Sequence, residues 1–151
     1  MSKEVHFQLA TDEHCIYAVV SGSWDDLIAK QFCKVFLNEV QHFNGKPFCH
    51  LVYFDQFTFG IPEIVPIIQK LVDTLMANEM RFVAQVIPKS HYNLTQFQLQ
   101  QMTQTKGLFE KQSFTEIVQA EAWLKLKFKT ISDTCNYSFQ HEIVNRYKNE
   151  L

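Results

Sequence analysis

Between Phe48 and Met76 the chain changes its hydrophobic period once, and that change limits what it can fold into. Phe48 to Phe54 is a nearly continuous apolar run, reading FCHLVYF. Such a run suits a central strand covered on both faces. After Asp55 the chain reaches a corner, Phe59-Gly60-Ile61-Pro62, and apolar residues then recur at Ile64, Ile67, Ile68, Leu71, Val72, Leu75 and Met76. That spacing is helical. Pro62 and Pro66 fall within about the first turn, where a missing N–H costs little. A helix start delivered at the carboxyl end of a buried strand is the building unit of an α/β sheet. In open sheets of this kind, that edge is where ligands bind.

The flanking sequence extends the unit. Val5 to Leu9 alternates apolar and polar residues, and a polar turn at Thr11-Asp12-Glu13-His14 leads to a second apolar run, Ile16 to Val20. Together they predict a hairpin. Ser21-Gly22-Ser23 breaks the second strand, and Ser23 or Asp25 then caps a helix using Ile28, Phe32, Val35, Phe36, Val40 and Phe43. Asn44-Gly45 supplies a left-handed stop and Pro47 prevents continuation. Arg81 opens a further strand, Phe82 to Ile87, ended by Pro88. Ser90 caps a helix that ends at Lys106-Gly107. Leu108 to Phe114 predicts a weak edge strand, since Glu110, Lys111 and Gln112 are poor β residues. Thr115-Glu116 starts a last long helix to about Phe128.

The order is β-β-α-β-α-β-α-β-α. It predicts an α/β fold: a four- to five-stranded mixed, mostly parallel sheet with helices packed around it. Residues 1–129 read as one domain and 130–151 as a C-terminal extension, with a short helix using Phe139, Ile143 and Tyr147.

A chain of 151 residues with 46% apolar residues can bury a core without staples. Fourteen phenylalanines imply a bulky core, or some Phe left at a contact surface. A net charge of -2 provides no basic field for nucleic acid. Cys15, Cys33, Cys49 and Cys135 form no C-x-x-C pair and read as small core fillers in a reduced, cytoplasmic setting. The N-terminal residues have no signal-peptide core, and no apolar run has the length of a membrane span. His6, His14, His42, His50 and His141 are scattered without metal-ligand spacing. No G-x-G-x-x-G, Walker loop or G-x-S-x-G elbow occurs, and four glycines are too few for a phosphate cradle. No cofactor and no metal are expected.

Two local patterns carry a resemblance. One is the strand ending in Asp55 with Phe59-Gly60-Ile61-Pro62-Glu63 opening a long helix. The other is Phe114-Thr115-Glu116 leading to Ala120-Glu121-Ala122-Trp123-Leu124. Over roughly residues 3–127 the chain resembles the SpoIIAA-like branch of the STAS superfamily. The resemblance implies a mixed sheet wrapped by helices and a regulatory role. STAS domains that act as anti-sigma-factor antagonists keep a phosphorylatable serine where this chain has Phe59-Gly60-Ile61-Pro62. Here the nearest hydroxyl is Thr58. The branch is also similar in outline to Sec14-type lipid-binding domains, which implies an apolar ligand as a second expectation.

The candidate surface gathers Asp55, Phe57, Thr58, Phe59, Gly60, Ile61 and Pro62 with the next loop, Lys89-Ser90-His91-Tyr92. Asp55 reads as a ligand-orienting group or base, or as a structural acceptor holding the corner. Thr58 reads as a cap residue, or as a phosphate acceptor beside the helix dipole. Phe57 and Phe59 read as core, or as the lip of an apolar pocket. Lys89 with the N–H groups at Ser90 could hold an anion, or simply start a capped helix. The stretch from Asn93 to Lys106, with Gln96, Gln98, Gln100, Gln101 and Gln104, is neutral enough for a partner or a second copy to cover. The expected function is a non-enzymatic, cytoplasmic STAS-like regulatory or protein-interaction module lacking the usual serine. The alternative is a carrier of a small apolar ligand or lipid. The partner would be a protein, with homo-oligomers a further expectation, and neither nucleic acid nor a membrane span is implied.

Overall fold

A computed structural model of the chain describes residues 6–58, 64–89, 110–132 and 137–148, apart from the side chains of Thr58 and Met76. Strand β1 (Phe7–Thr11) pairs antiparallel with β2 (Cys15–Ser23), as the hairpin reading expects. The turn is held by Asp12, whose carboxylate accepts the N–H groups of His14 at 3.3 Å and Cys15 at 3.1 Å. Strands β3 (Phe48–Thr58), β4 (Met80–Val86) and β5 (Glu110–Phe114) follow in parallel, giving one mixed sheet in the order β1-β2-β3-β4-β5. The apolar run Phe48–Phe54 is the central strand, with parallel neighbours on both sides. The charged sequence of β5 puts that strand at the edge.

Helix α1 (Asp26–Val40) is capped by Asp25, whose side chain accepts the Ile28 N–H at 2.9 Å. Its buried face is Ala29, Phe32, Phe36 and Val40, and a 3-10 turn over Gln41–Phe43 adds Phe43. Val35, read as part of that face, is 38% exposed. At 100° per residue it lies one step round from Phe36, outside the buried stripe. Asn44 (φ 51) and Gly45 (φ 80) take the expected left-handed stop. Helix α2 (Ile64–Ala77) buries Ile64, Leu71 and Leu75 against the same sheet face. Crossovers β2-α1-β3 and β3-α2-β4 advance in one direction across the sheet, so right-handedness places both helices on one side.

The other face is covered differently. Helix α3 (Ile117–Phe128) packs Ile117, Ala120, Leu124 and Phe128 over β3, β4 and β5. The C-terminal segment covers the rest: Phe139 is 2% exposed and Val144, in the single-turn helix α4 (Glu142–Asn145), is 0% exposed. Both join Cys15, Tyr17, Leu51 and Tyr53 in one apolar cluster. The Tyr17 and Tyr137 hydroxyls are 3.1 Å apart across this seam. Every described phenylalanine is buried or half-buried, so these residues serve the core.

One ion pair crosses the same seam. Glu121 is nearly buried on α3, and the Lys148 ammonium reaches it at 2.9 Å. Burial pushes the Glu121 carboxyl's pKa up, and Lys148 draws it back. Its second oxygen, Oε2, is buried with no partner among the described residues. Removing the lysine strands the carboxylate, which costs more than the pair contributes. Lys148→Ala is expected to lose about 2 kcal/mol in urea unfolding at pH 7, and adding Glu121→Gln should restore part of it. Equal stability of wild type and Lys148→Ala would show the pair to be energetically idle.

Candidate functional site

Because β2 to β5 run parallel, their carboxyl ends share one edge of the sheet. Strand β3 overshoots its expected end and runs to Thr58. The extension depends on a bulge. Ser21 pairs with Asp55 but Gly22 pairs with Phe57, leaving Gln56 as the extra residue in a left-handed conformation (φ 49). Gly22 opposite has φ 75, and a Cβ there would lie 3.1 Å from the His6 ring. The bulge resets the alternation. Phe54 and Phe57, three residues apart, therefore fall on the same face and pack together at 5.4 Å.

This separates two of the predicted site residues. Phe57 sits in the core against Trp24, with ring centroids 5.0 Å apart and planes at 84°. Trp24 is itself anchored, its indole N–H donating to the carbonyls of His6 and Ser21 at 3.2 and 3.0 Å. Of the two readings of Phe57, its surroundings are those of core. Asp55 lies on the opposite face. There the Tyr147 hydroxyl donates to Asp55 Oδ2 at 3.2 Å, while the Tyr147 ring stacks on Tyr53 at 4.4 Å. Arg146 completes the group, donating to Gln8 Oε1 at 3.0 Å and to the Tyr147 hydroxyl at 3.2 Å. Burial pushes the Tyr147 phenol's pKa up, and the Asp55 charge adds to that. The described role of Asp55 is thus to fasten the C-terminal turn to the sheet.

Lys89 is exposed, just beyond β4 at the same edge. The backbone of Thr58 pairs with Ser23. Phe59, Gly60, Ile61 and Pro62, together with Ser90, His91 and Tyr92, lie outside the described residues, as does the glutamine-rich stretch Asn93 to Lys106. Sequence reasoning missed Gln8, Arg146 and Tyr147 as companions of Asp55. Tyr147 is 92 residues from Asp55, and only its spacing from Phe139 and Ile143 hinted at a packed face.

Three reactive side chains elsewhere, Cys15, Cys49 and His50, are walled in, and Cys33 is half-buried. Cys15 and Cys49 are fully buried, and burial drives the Cys15 thiol's pKa far up. Cys33 is pushed up to about 11 by the same cause. His50 is buried against Phe36, its Nδ1 2.9 Å from the Ile16 carbonyl oxygen. No three His, Cys, Asp or Glu side chains among the described residues are placed to hold a metal ion. A cleft of about 430 Å³ opens at the opposite, amino-terminal edge, between His14, His42, Lys46 and Ile131. No described helix is long and apolar enough to cross a membrane.

No protein-family model matches this sequence, and no curated protein does.

Proposed function

We propose that the chain is a non-enzymatic, cytoplasmic STAS-like module that regulates or binds another protein through the carboxyl edge of its sheet. The observation that carries this reading is the commitment of Asp55. Asp55, the carboxylate that the sequence offered as a base, is bonded to Tyr147 and packed beside the Tyr53–Tyr147 stack, so it serves structure rather than a substrate. The burial of Cys15, Cys49 and His50 fits the same reading, since a nucleophile or base must reach its substrate. The mixed sheet wrapped by helices agrees with the fold that the resemblance implies. The corner without a serine suits a module that signals through contact rather than phosphorylation.

Affinity capture from native lysate tests it. Wild type should retain one protein in stoichiometric amount, and a Thr58→Ala/Phe59→Ala variant with unchanged circular dichroism should lose it. Retention by the variant, or no partner under any growth condition, would refute the reading. Native mass spectrometry after gentle purification should give the mass of the bare chain; a co-purifying lipid would replace the module with a Sec14-like carrier.

A further inference from the structure

Helix α3 is apolar on two sides. Its inner side, centred on Ala120 and Leu124, belongs to the core. At 100° per residue, Val118, Ala122 and Leu126 line up one turn apart on the outer side. All three are exposed, Val118 at 60% and Leu126 at 66%. A helix on a protein surface needs one apolar stripe to join its core. A second, solvent-facing stripe has no core to join and is free to take a contact. Its charged border is one-sided. Lys125 and Lys129 are exposed along one flank and make no ion pair among the described residues, while Gln119 on the other flank is neutral. Lys127 points elsewhere and is taken by Glu110 at 2.7 Å.

We infer that this stripe docks an amphipathic helix of another protein, one with apolar residues at matching one-turn spacing and acidic residues along one border. Charge selects this occupant over a second copy of the chain. An antiparallel two-fold pair of α3 helices sets lysine flank beside lysine flank, and a parallel pair sets it against Gln119. Neither supplies an anion. An acidic helix instead brings carboxylates to Lys125 and Lys129 and is steered to the surface by them. The inference is independent of the carboxyl-edge reading, since α3 and that edge share none of the residues tested.

The test uses two synthetic helical peptides of about 15 residues, alike in their leucines and differing in glutamate or lysine along one border. Fluorescence anisotropy at low salt should give about ten-fold tighter binding of the acidic peptide. Lys125→Glu/Lys129→Glu should reverse the preference, and Val118→Ser/Leu126→Ser should abolish binding of both. These positions are exposed, so the variants should keep the wild-type circular dichroism. Equal binding of the two peptides, binding of neither, or binding indifferent to Val118→Ser/Leu126→Ser would overturn the inference. So would sedimentation as a dimer that Val118→Ser/Leu126→Ser converts to monomer, which would give the stripe to a second copy.

Discussion

Phe139→Ala is expected to destabilise the protein by about 3–5 kcal/mol, the range for deleting a buried aromatic ring. The side chain is 2% exposed, although it lies beyond the last long helix. Its ring packs edge-on to Phe128 at 5.6 Å and Tyr137 at 4.7 Å, so its loss opens a cavity between α3 and the C-terminal segment. In a domain of this size that loss lowers the melting temperature by roughly 10 °C. It also removes a large part of a total stability of about 5–15 kcal/mol. Val118→Ala, at an exposed position, should change stability by no more than about 0.5 kcal/mol and serves as the control. Truncation after Lys129 should go further and remove the cooperative transition, because it uncovers the face of β2 formed by Cys15, Tyr17 and Val19. A loss below about 1 kcal/mol for Phe139→Ala would mean that the C-terminal segment unfolds separately from the sheet.

The second large effect is a dependence of stability on pH set by His50. Burial lowers its pKa to about 4, against the pull of the Ile16 carbonyl, which favours the charged ring. In the unfolded chain the group titrates near its ordinary value of 6.5. Between these two values the unfolded state binds the proton and the folded state does not, so stability rises with pH. The contribution is fully present above about pH 6.5 and is lost as pH falls toward 4. Its full size is about 3 kcal/mol, with about 2 kcal/mol of it lost between pH 7 and pH 5. His50→Asn places an amide nitrogen near the position of Nδ1 and removes the titration. Urea unfolding at pH 7 and pH 5 should show wild type losing about 2 kcal/mol more than the variant. Asp12 and Glu121, whose pKa values burial raises, act in the opposite sense, and the comparison with the variant cancels them. Identical pH slopes for the two proteins would place the proton on His50 at no cost and refute the account.

Much of the architecture was legible because it depends on local chemistry. Strand β3 announced itself as central by carrying apolar residues toward both faces, and β5 as an edge by Glu110, Lys111 and Gln112. Asp25 and Asn44-Gly45 bounded the first helix by hydrogen bonding and backbone freedom, which act over three or four residues. The candidate site was less legible. Alternation places Phe54 and Phe57 on opposite faces, and the single extra residue at the Gln56 bulge puts them together. Nothing adjacent to Asp55 in sequence indicates that a tyrosine near the other end of the chain will bind it.

The sequence alone determined the period of most described elements and several of the stops between them, though not the one read at Ser21-Gly22-Ser23, which β2 runs through, and hence an α/β sheet that includes a hairpin. Those features follow from side-chain patterning and turn chemistry within a few residues. Only the tertiary structure decided how the second sheet face is covered, by α3 together with Phe139 and Val144 of the C-terminal segment. It alone also joined Asp55 to Tyr147 and left Val118 and Leu126 facing solvent. A helix with apolar residues on two sides does not declare which side is the core. That choice is made by the sheet it packs against, where the larger apolar area leaves water.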